Sequence, residues 1–106
     1  MAFTGDEGSM IDSATAQKWI DNYQKDIGPD GIRAQFVGFR RLNELMSQEN
    51  AIGVRIYYAK DDAGTSKIVI VAVNSNEGNI ATVDGSKTDG LVLDNAKPCP
   101  PYCNQD

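Results

Sequence analysis

A predicted β-hairpin over residues 52–73 constrains the fold of this chain more than any other feature. Ile52–Ala59 and Lys67–Val73 are rich in β-branched and aromatic side chains, which favour strands. Between them lies Lys60–Ser66, a run of turn-forming residues that includes Gly64. Two such runs around a glycine-containing loop are typical of an antiparallel hairpin. We therefore expect the rest of the chain to cover this hairpin.

Two helices are predicted before the hairpin. Apolar residues at helical spacing predict the first over Ile11–Ile27, with Ser13 or Asp12 as its N-cap. Its apolar stripe consists of Ala16, Trp19, Ile20, Tyr23 and Ile27. We expect Trp19 to anchor the core, since a tryptophan at helical spacing is usually buried. The second helix is predicted over Phe39–Gln48, and Ala34–Val37 forms either a short edge strand or an extended lead-in to it.

The hairpin strands differ in how their faces are patterned. In the first strand one face is apolar and the other mixed, which predicts a sheet covered by helices on one side. That apolar face consists of Ile52, Val54, Ile56 and Tyr58. The second strand is apolar on both faces, so we expect it to be central, with its outer face partly covered by the tails or by another chain. Further short strands are predicted at Ile80–Val83 and Leu91–Leu93.

Helices that precede strands predict an α+β fold, with two helices packed on one face of an antiparallel meander sheet of three to four strands. A chain of 106 residues is long enough for one domain with its own core. We predict a polar N-terminal tail over residues 1–10, a single α+β domain over 11–96, and a Pro/Cys-rich C-terminal tail over 97–106.

Composition excludes several classes of function. The net charge of -5 argues against nucleic-acid binding, which needs concentrated Lys and Arg. Histidine is absent, which excludes Ser-His-Asp and Cys-His catalysis within one chain, and His-containing zinc sites. We expect no cofactor. No apolar run reaches the ~20 residues of a membrane span, and the N-terminus does not have the pattern of a secretory signal. The expected compartment is the cytoplasm, with export by another route left open.

The C-terminal segment carries the most specific chemical feature, Cys99 and Cys103 separated by Pro100, Pro101 and Tyr102. A polyproline conformation would hold the two cysteines about 12 Å apart, too far for a disulfide. Closing one therefore requires a turn, for which a cis bond before either proline is one route. Three alternatives stay open: a disulfide or structural thiol pair, a metal site shared with a second chain, and redox catalysis.

Two further features have simple explanations. The turn from Asn74 to Gly78 resembles the front of a calcium loop but lacks the later bidentate Glu, so a plain turn is favoured. Plain turns are also favoured for the acidic residues Asp61, Asp62, Asp84 and Asp89. The segment Gly85–Thr88 does not have the spacing of a phosphate loop. Arg40 and Arg41 form the one paired basic site, which we interpret as a solvated helix face with an anionic partner as the alternative.

Several of these segments together resemble a family of small uncharacterised bacterial proteins. Its members combine an "IT…A…NY" first helix, a "GIRIYYG" strand and a terminal "CPPxC". The matching segments here are Ile11–Ser13, Asn22–Tyr23, Gln35–Gly38, Gly53–Tyr58, Ile68–Val71 and Cys99–Cys103. Ala59 stands where the family pattern has Gly. The resemblance implies a cytoplasmic bacterial protein and adds no mechanism.

The sequence therefore favours a non-enzymatic structural or interaction module that self-associates or docks into a larger bacterial assembly. The expected interaction surface consists of Val69, Val71, Val73, Tyr57, Arg40 and Arg41. A protein partner or a homo-oligomer is expected, without nucleic acid and without membrane insertion. The alternative is a thiol-based protein that binds metal or responds to redox state through Cys99 and Cys103.

Overall fold

Across residues 2–81 and 90–104, which the computed structural model describes, two helices and five strands form an α+β fold, as predicted. In chain order the elements are α1 (Ser13–Ile27), β1 (Ala34–Phe36), α2 (Phe39–Met46), β2 (Gly53–Lys60), β3 (Ser66–Val73), β4 (Val92–Leu93) and β5 (Lys97–Cys99). The strands form two antiparallel sheets, one with the order β2-β3-β4 and one that pairs β1 with β5.

The predicted hairpin is confirmed, and its two strands pair along their full length. Its turn is held by the Asp61 carboxylate, which accepts hydrogen bonds from the backbone N–H groups of Ala63 and Thr65 at 3.0 and 2.9 Å. Gly64 has a φ of 86°, a left-handed conformation that favours glycine. The turn residues thus act as the sequence indicates, and they fix the register of β2 against β3.

The meander continues from β3 to β4, where Ile70 lies opposite Leu93. Of the strand predicted at Ile80–Val83, the described residues Ile80 and Ala81 are not in a strand, and the preceding Asn79 forms one isolated bridge with Val73. The last two residues of the predicted strand lie outside the described residues. The larger sheet therefore has three strands in the part of the chain that is described, with β3 in the centre as expected.

The smaller sheet shows which of the two predicted conformations the segment after the first helix adopts. Ala34–Phe36 is a strand, and it pairs with Lys97–Cys99 so that Ala34 lies opposite Cys99. The first cysteine of the Pro/Cys-rich segment is therefore fixed by backbone pairing over a long sequence separation.

Contacts divide the chain into two compact units, which differ from the tail, domain and tail expected from composition. The first unit combines Met1–Glu7 with Val37–Asn95 and contains α2 and the three-stranded sheet. The second combines Gly8–Phe36 with Ala96–Asp106 and contains α1 and the smaller sheet. Pairing of β1 with β5 accounts for this division, because it joins distant parts of the sequence.

The core of the first unit lies between α2 and one face of the sheet. Leu45 of α2 packs with Ile70 and Ala72 of β3, and all three are buried. Partly buried apolar residues surround this cluster: Val37, Leu42, Ala51, Ile68, Ile80 and Leu93. Burying a side chain the size of Leu45 stabilises the fold by about 1.5–3 kcal/mol. Among the described residues, β2 contributes no member to this cluster.

In the second unit, α1 has defined ends and no buried residue. Asp12 is its N-cap, and its carboxylate accepts a 2.8 Å hydrogen bond from the N–H of Thr15, which lowers the pKa of Asp12. Gly28 ends the helix with a φ of 79°. Trp19 is 58% exposed, so its assignment as a core anchor is wrong. Helical spacing shows which residues share a face, but it does not show whether another element covers that face.

The core cluster predicts that substitutions at two positions of α2 lower the free energy of unfolding by different amounts. Leu45→Ala should lower the free energy of unfolding of the first unit by about 2–5 kcal/mol, because it opens a cavity against β3. Phe39→Ala, at an exposed position of the same helix, should change it by less than about 1 kcal/mol. Urea denaturation followed by circular dichroism measures both, and equal losses would contradict the assigned core.

Candidate functional site

Three apolar side chains of β2 lie open to solvent on the sheet face that α2 covers elsewhere. Val54, Ile56 and Tyr58 are 38%, 50% and 92% exposed, and we call them the β2 strip. They lie opposite Ala72, Ile70 and Ile68 of β3, so they share the face of the buried core. The sequence correctly indicates an apolar face here. The helix α2 contacts all three strands of this sheet, but its buried cluster forms with β3, and the three β2 side chains stay exposed.

The β2 strip lies on an edge strand. In the described sheet β2 pairs with β3 on one side, and no other described strand pairs with its outer side. Outward-facing N–H and C=O groups of an edge strand can template pairing with another chain. A strand of eight residues with an exposed apolar face carries little protection against such pairing beyond Lys60 at its end and Arg55 on its other face.

The valines predicted to form an interaction surface lie on the opposite face of the sheet. Val71 and Val73 are buried within the chain's own fold, and Val69 is partly buried. Tyr57 is also partly buried on this face. The structure brings these four residues together, but it leaves little of them available to a partner.

A polar network on this face was not indicated by the sequence. The guanidinium of Arg55 donates to Asn79 Oδ1 at 2.7 Å and to the carbonyl oxygen of Glu77 at 3.2 Å. It also lies 5.9 Å from the ring centre of Phe3. Asn79 Nδ2 donates to the Tyr57 hydroxyl at 2.8 Å. Strand alternation places Arg55 and Tyr57 on one face, but nothing in the sequence identifies Asn79 as their common partner.

This network changes the acidity of Tyr57. The hydrogen bond from Asn79 lowers the pKa of Tyr57 below its ordinary value, and the nearby charge of Arg55 acts in the same direction. Both interactions favour the phenolate over the neutral phenol.

A groove of about 470 Å³ lies beside the start of β2. Its lining consists of Phe3, Gly5, Glu7, Ile52, Gly53, Val54, Arg55 and Val73. The Glu7 carboxylate accepts hydrogen bonds from the N–H groups of Thr4 and Gly5, both at 2.9 Å, which lowers the pKa of Glu7. Both charged groups of the groove are therefore engaged by their own chain, which leaves the groove without a clear ligand chemistry.

Residues Pro98–Cys103 of the second unit, which we call the cysteine loop, bring Cys99 and Cys103 to disulfide distance, with their Cα atoms 4.7 Å apart. The peptide bonds before Pro100 and Pro101 are both cis. Two backbone hydrogen bonds close the loop, from the N–H of Tyr102 to the Pro98 carbonyl and from the N–H of Cys103 to the Pro101 carbonyl. The turn that the sequence requires for a disulfide is therefore present, while the choice between a structural pair and a reactive one stays a prediction.

Arg33 contacts this loop in a way that sequence reasoning missed. Its backbone N–H donates to the Cys99 carbonyl at 2.8 Å, and its side-chain Nη2 lies 3.5 Å from the Cys103 sulfur. Cys99 is buried, whereas Cys103 is partly exposed. Lys97 adds a second cation, with its Nζ 5.5 Å from the ring centre of Tyr102. Pairing of β1 with β5 brings Arg33 to the loop, and no local motif predicts that pairing.

The remaining predicted residues show no organised site. Arg40 and Arg41 are exposed on α2, and Arg41 forms an ion pair with Glu44 of the same helix. In the calcium-like turn the Asn74 side chain accepts from the N–H groups of Asn76 and Gly78, which is the role of a plain turn. Asp84, Asp89 and Gly85–Thr88 lie outside the described residues. Within residues 2–81 and 90–104, no group of three or more acidic or cysteine side chains could hold a metal ion.

Comparisons with known proteins add no assignment. No family model matches the chain, and neither a curated protein nor a solved structure is significantly similar to it. The resemblance to the small bacterial family therefore stays a prediction. Neither described helix has the length and apolarity needed to cross a membrane.

The polar network predicts a shift in the titration of Tyr57. In Asn79→Ala the pKa of Tyr57 should rise toward about 10, because the phenolate loses its hydrogen bond. The depressed pKa stabilises the fold at alkaline pH, above the unfolded value, and this contribution is lost as pH falls through the folded value.

Tyrosine ¹³Cζ shifts followed against pH measure this titration, and Tyr57→Phe identifies the signal among the four tyrosines. Asn76→Ala, in the same turn, is the matched control and should leave the titration of Tyr57 unchanged. An equal rise in both asparagine variants would contradict the role of Asn79.

Proposed function

We propose that this chain is a non-enzymatic interaction module that self-associates, with β2 of one copy pairing antiparallel to β2 of a second copy. The observation that carries this proposal is the β2 strip, an exposed apolar face on a strand whose outer side pairs with no other described strand. We include in the proposal a cytoplasmic location in a bacterium, which the family resemblance implies.

The sequence of β2 is suited to pairing with itself. A two-fold axis perpendicular to the sheet keeps the same face of both strands on one side, so residues of the β2 strip meet one another. With Ile56 opposite the partner's Ile56, Val54 lies opposite the partner's Tyr58. On the other face, Arg55 lies opposite the partner's Tyr57, so no two like charges are directly opposed. This register extends each three-stranded sheet into one of six strands.

Strand pairing of this kind predicts a modest affinity. Eight residues on each side form a contact below the standard size of about 800 Å² per partner, which favours a concentration-dependent dimer over a permanent one. Each chain also carries a net charge of -5, so two copies repel one another at long range. Salt should therefore strengthen the dimer, because it screens the repulsion while the apolar and backbone contacts persist.

A second candidate, thiol-based chemistry at the cysteine loop, is favoured by a separate observation. Cys99 and Cys103 lie at disulfide distance, and Arg33 contacts the Cys103 sulfur. This candidate uses residues of the second unit, so it does not compete with association through β2.

The proposed pairing predicts that Ile56→Lys abolishes dimer formation, because it places two ammonium groups opposite each other across the axis. Ile20→Lys is the matched control on α1, since Ile20 is 47% exposed and Ile56 is 50% exposed. Sedimentation velocity over the micromolar to millimolar range should show a dimer for the natural sequence and for Ile20→Lys only. Loss of the dimer in Ile20→Lys alone would overturn pairing through β2 and point to α1.

Amide hydrogen exchange tests the strand pairing itself. Alternate residues of β2 direct their N–H groups away from β3, and these amides should gain protection as concentration rises. Ile56→Lys should remove that gain. A dimer whose formation leaves every β2 amide unchanged would be held together elsewhere on the chain.

A further inference from the structure

We propose that the cysteine loop is a reversible thiol–disulfide exchange site for small-molecule disulfides, in which Cys103 reacts first and Cys99 resolves the intermediate. The inference rests on the second candidate function, which it makes specific, and does not depend on association through β2. It assigns different roles to the two cysteines, which their spacing in the sequence does not distinguish.

Accessibility distinguishes the two sulfurs. Cys99 is buried at the end of β5, where backbone pairing with Ala34 fixes it. Its carbonyl also accepts the N–H of Arg33. Cys103 lies four residues later and is partly exposed. Cys103 is therefore the more accessible of the two cysteines to an external disulfide.

Nearby positive charges also favour the Cys103 sulfur as the one that reacts first. The Arg33 guanidinium, which approaches from the segment before β1, lies 3.5 Å from the Cys103 sulfur. Lys97 of β5 places a second cation over Tyr102, the neighbour of Cys103 in the loop. When the loop is reduced, these cations favour the thiolate form of Cys103, and the thiolate is the nucleophile in exchange.

The loop also keeps the second thiol close to the reaction. The Cα atoms of the cysteines are 4.7 Å apart, and the backbone hydrogen bonds of Tyr102 and Cys103 lie within the loop. Pairing of Ala34 with Cys99 holds the other end in place. Ring closure is therefore an intramolecular step with a high effective concentration.

The exchange balances in two steps. The Cys103 thiolate attacks one sulfur of a small disulfide RSSR, which forms a Cys103–SR mixed disulfide and releases RS⁻. The Cys99 thiol then loses its proton to solvent and attacks the Cys103 sulfur, which closes the protein disulfide and releases a second RS⁻. The protein dithiol is oxidised by two electrons, and RSSR is reduced to two thiols. Excess RSH drives both steps in reverse.

Alkylation of single-cysteine variants tests the role of Arg33. In Cys99→Ser the reaction of Cys103 with iodoacetamide should have a pH midpoint about one to three units below the ordinary thiol value of about 8.5. Adding Arg33→Gln should move this midpoint back toward 8.5, and Arg33→Lys should retain part of the shift. Adding Arg40→Gln, an equal change of charge at an exposed position of α2, should leave the midpoint unchanged. A midpoint at 8.5 or above in Cys99→Ser, or equal shifts with both Gln variants, would overturn the assignment.

A competition within the natural chain does not depend on any variant. Fully reduced protein is exposed at neutral pH to a substoichiometric amount of iodoacetamide and then digested for mass spectrometry. Cys103 should be labelled at least about threefold faster than Cys99, because its larger thiolate fraction outweighs its lower intrinsic nucleophilicity. Equal labelling, or faster labelling of Cys99, would overturn the order of reaction.

Oxidised glutathione serves as the small disulfide in a direct test of exchange. The reduced natural chain should close its disulfide and release two glutathione molecules without a stable adduct. Cys99→Ser should accumulate one glutathione on Cys103, and Cys103→Ser should react more slowly. A stable adduct on the natural chain, or equal rates for the two variants, would contradict the proposed roles. Circular dichroism shows whether each variant retains its secondary structure.

Discussion

Antiparallel pairing of β2 with β3 is the constraint on which the first unit depends. Its register assigns every side chain of both strands to one of two faces, and a shift of one residue would exchange those faces. In the observed register Ile70 and Ala72 meet Leu45 on one face. Val71 and Val73 are buried on the other. The central strand β3 therefore buries both of its apolar faces within the chain, whereas the edge strand β2 leaves its apolar face exposed.

The exposed β2 strip follows from a mismatch of lengths. A helix of eight residues is about 12 Å long, whereas a strand of eight residues is about 26 Å long. One such helix covers only part of a three-stranded sheet: α2 contacts all three strands, but its buried cluster forms with β3. Covering the β2 strip as well would require a second layer on that face. In the first unit the described chain supplies none, which is why an apolar face that is typical of a buried strand lies exposed at the sheet edge.

Local sequence patterns predicted the helices and strands, whereas long-range strand pairing determines which of their residues meet. The hairpin and both helices are encoded by spacing and turn residues, and each lies within a few residues of its predicted bounds, whereas the segment at Ala34–Phe36 was left open and its pairing with β5 makes it a strand. The exposure of Trp19 could not be predicted, since helical spacing gives a face and not its cover. The same limit applies to Arg33, which lies 70 residues from Cys103 and reaches it because β1 pairs with β5.

The lack of histidine gives the Arg33 contact its particular chemistry. In many thiol sites an imidazole next to the cysteine both stabilises the thiolate and accepts its proton. A guanidinium stays protonated throughout the physiological range, so it can stabilise the thiolate of Cys103 by charge but cannot take up a proton. The proton must therefore leave to solvent, which the partial exposure of Cys103 permits. Such a site is suited to exchange between sulfur atoms more than to catalysis that needs a proton acceptor beside the thiol.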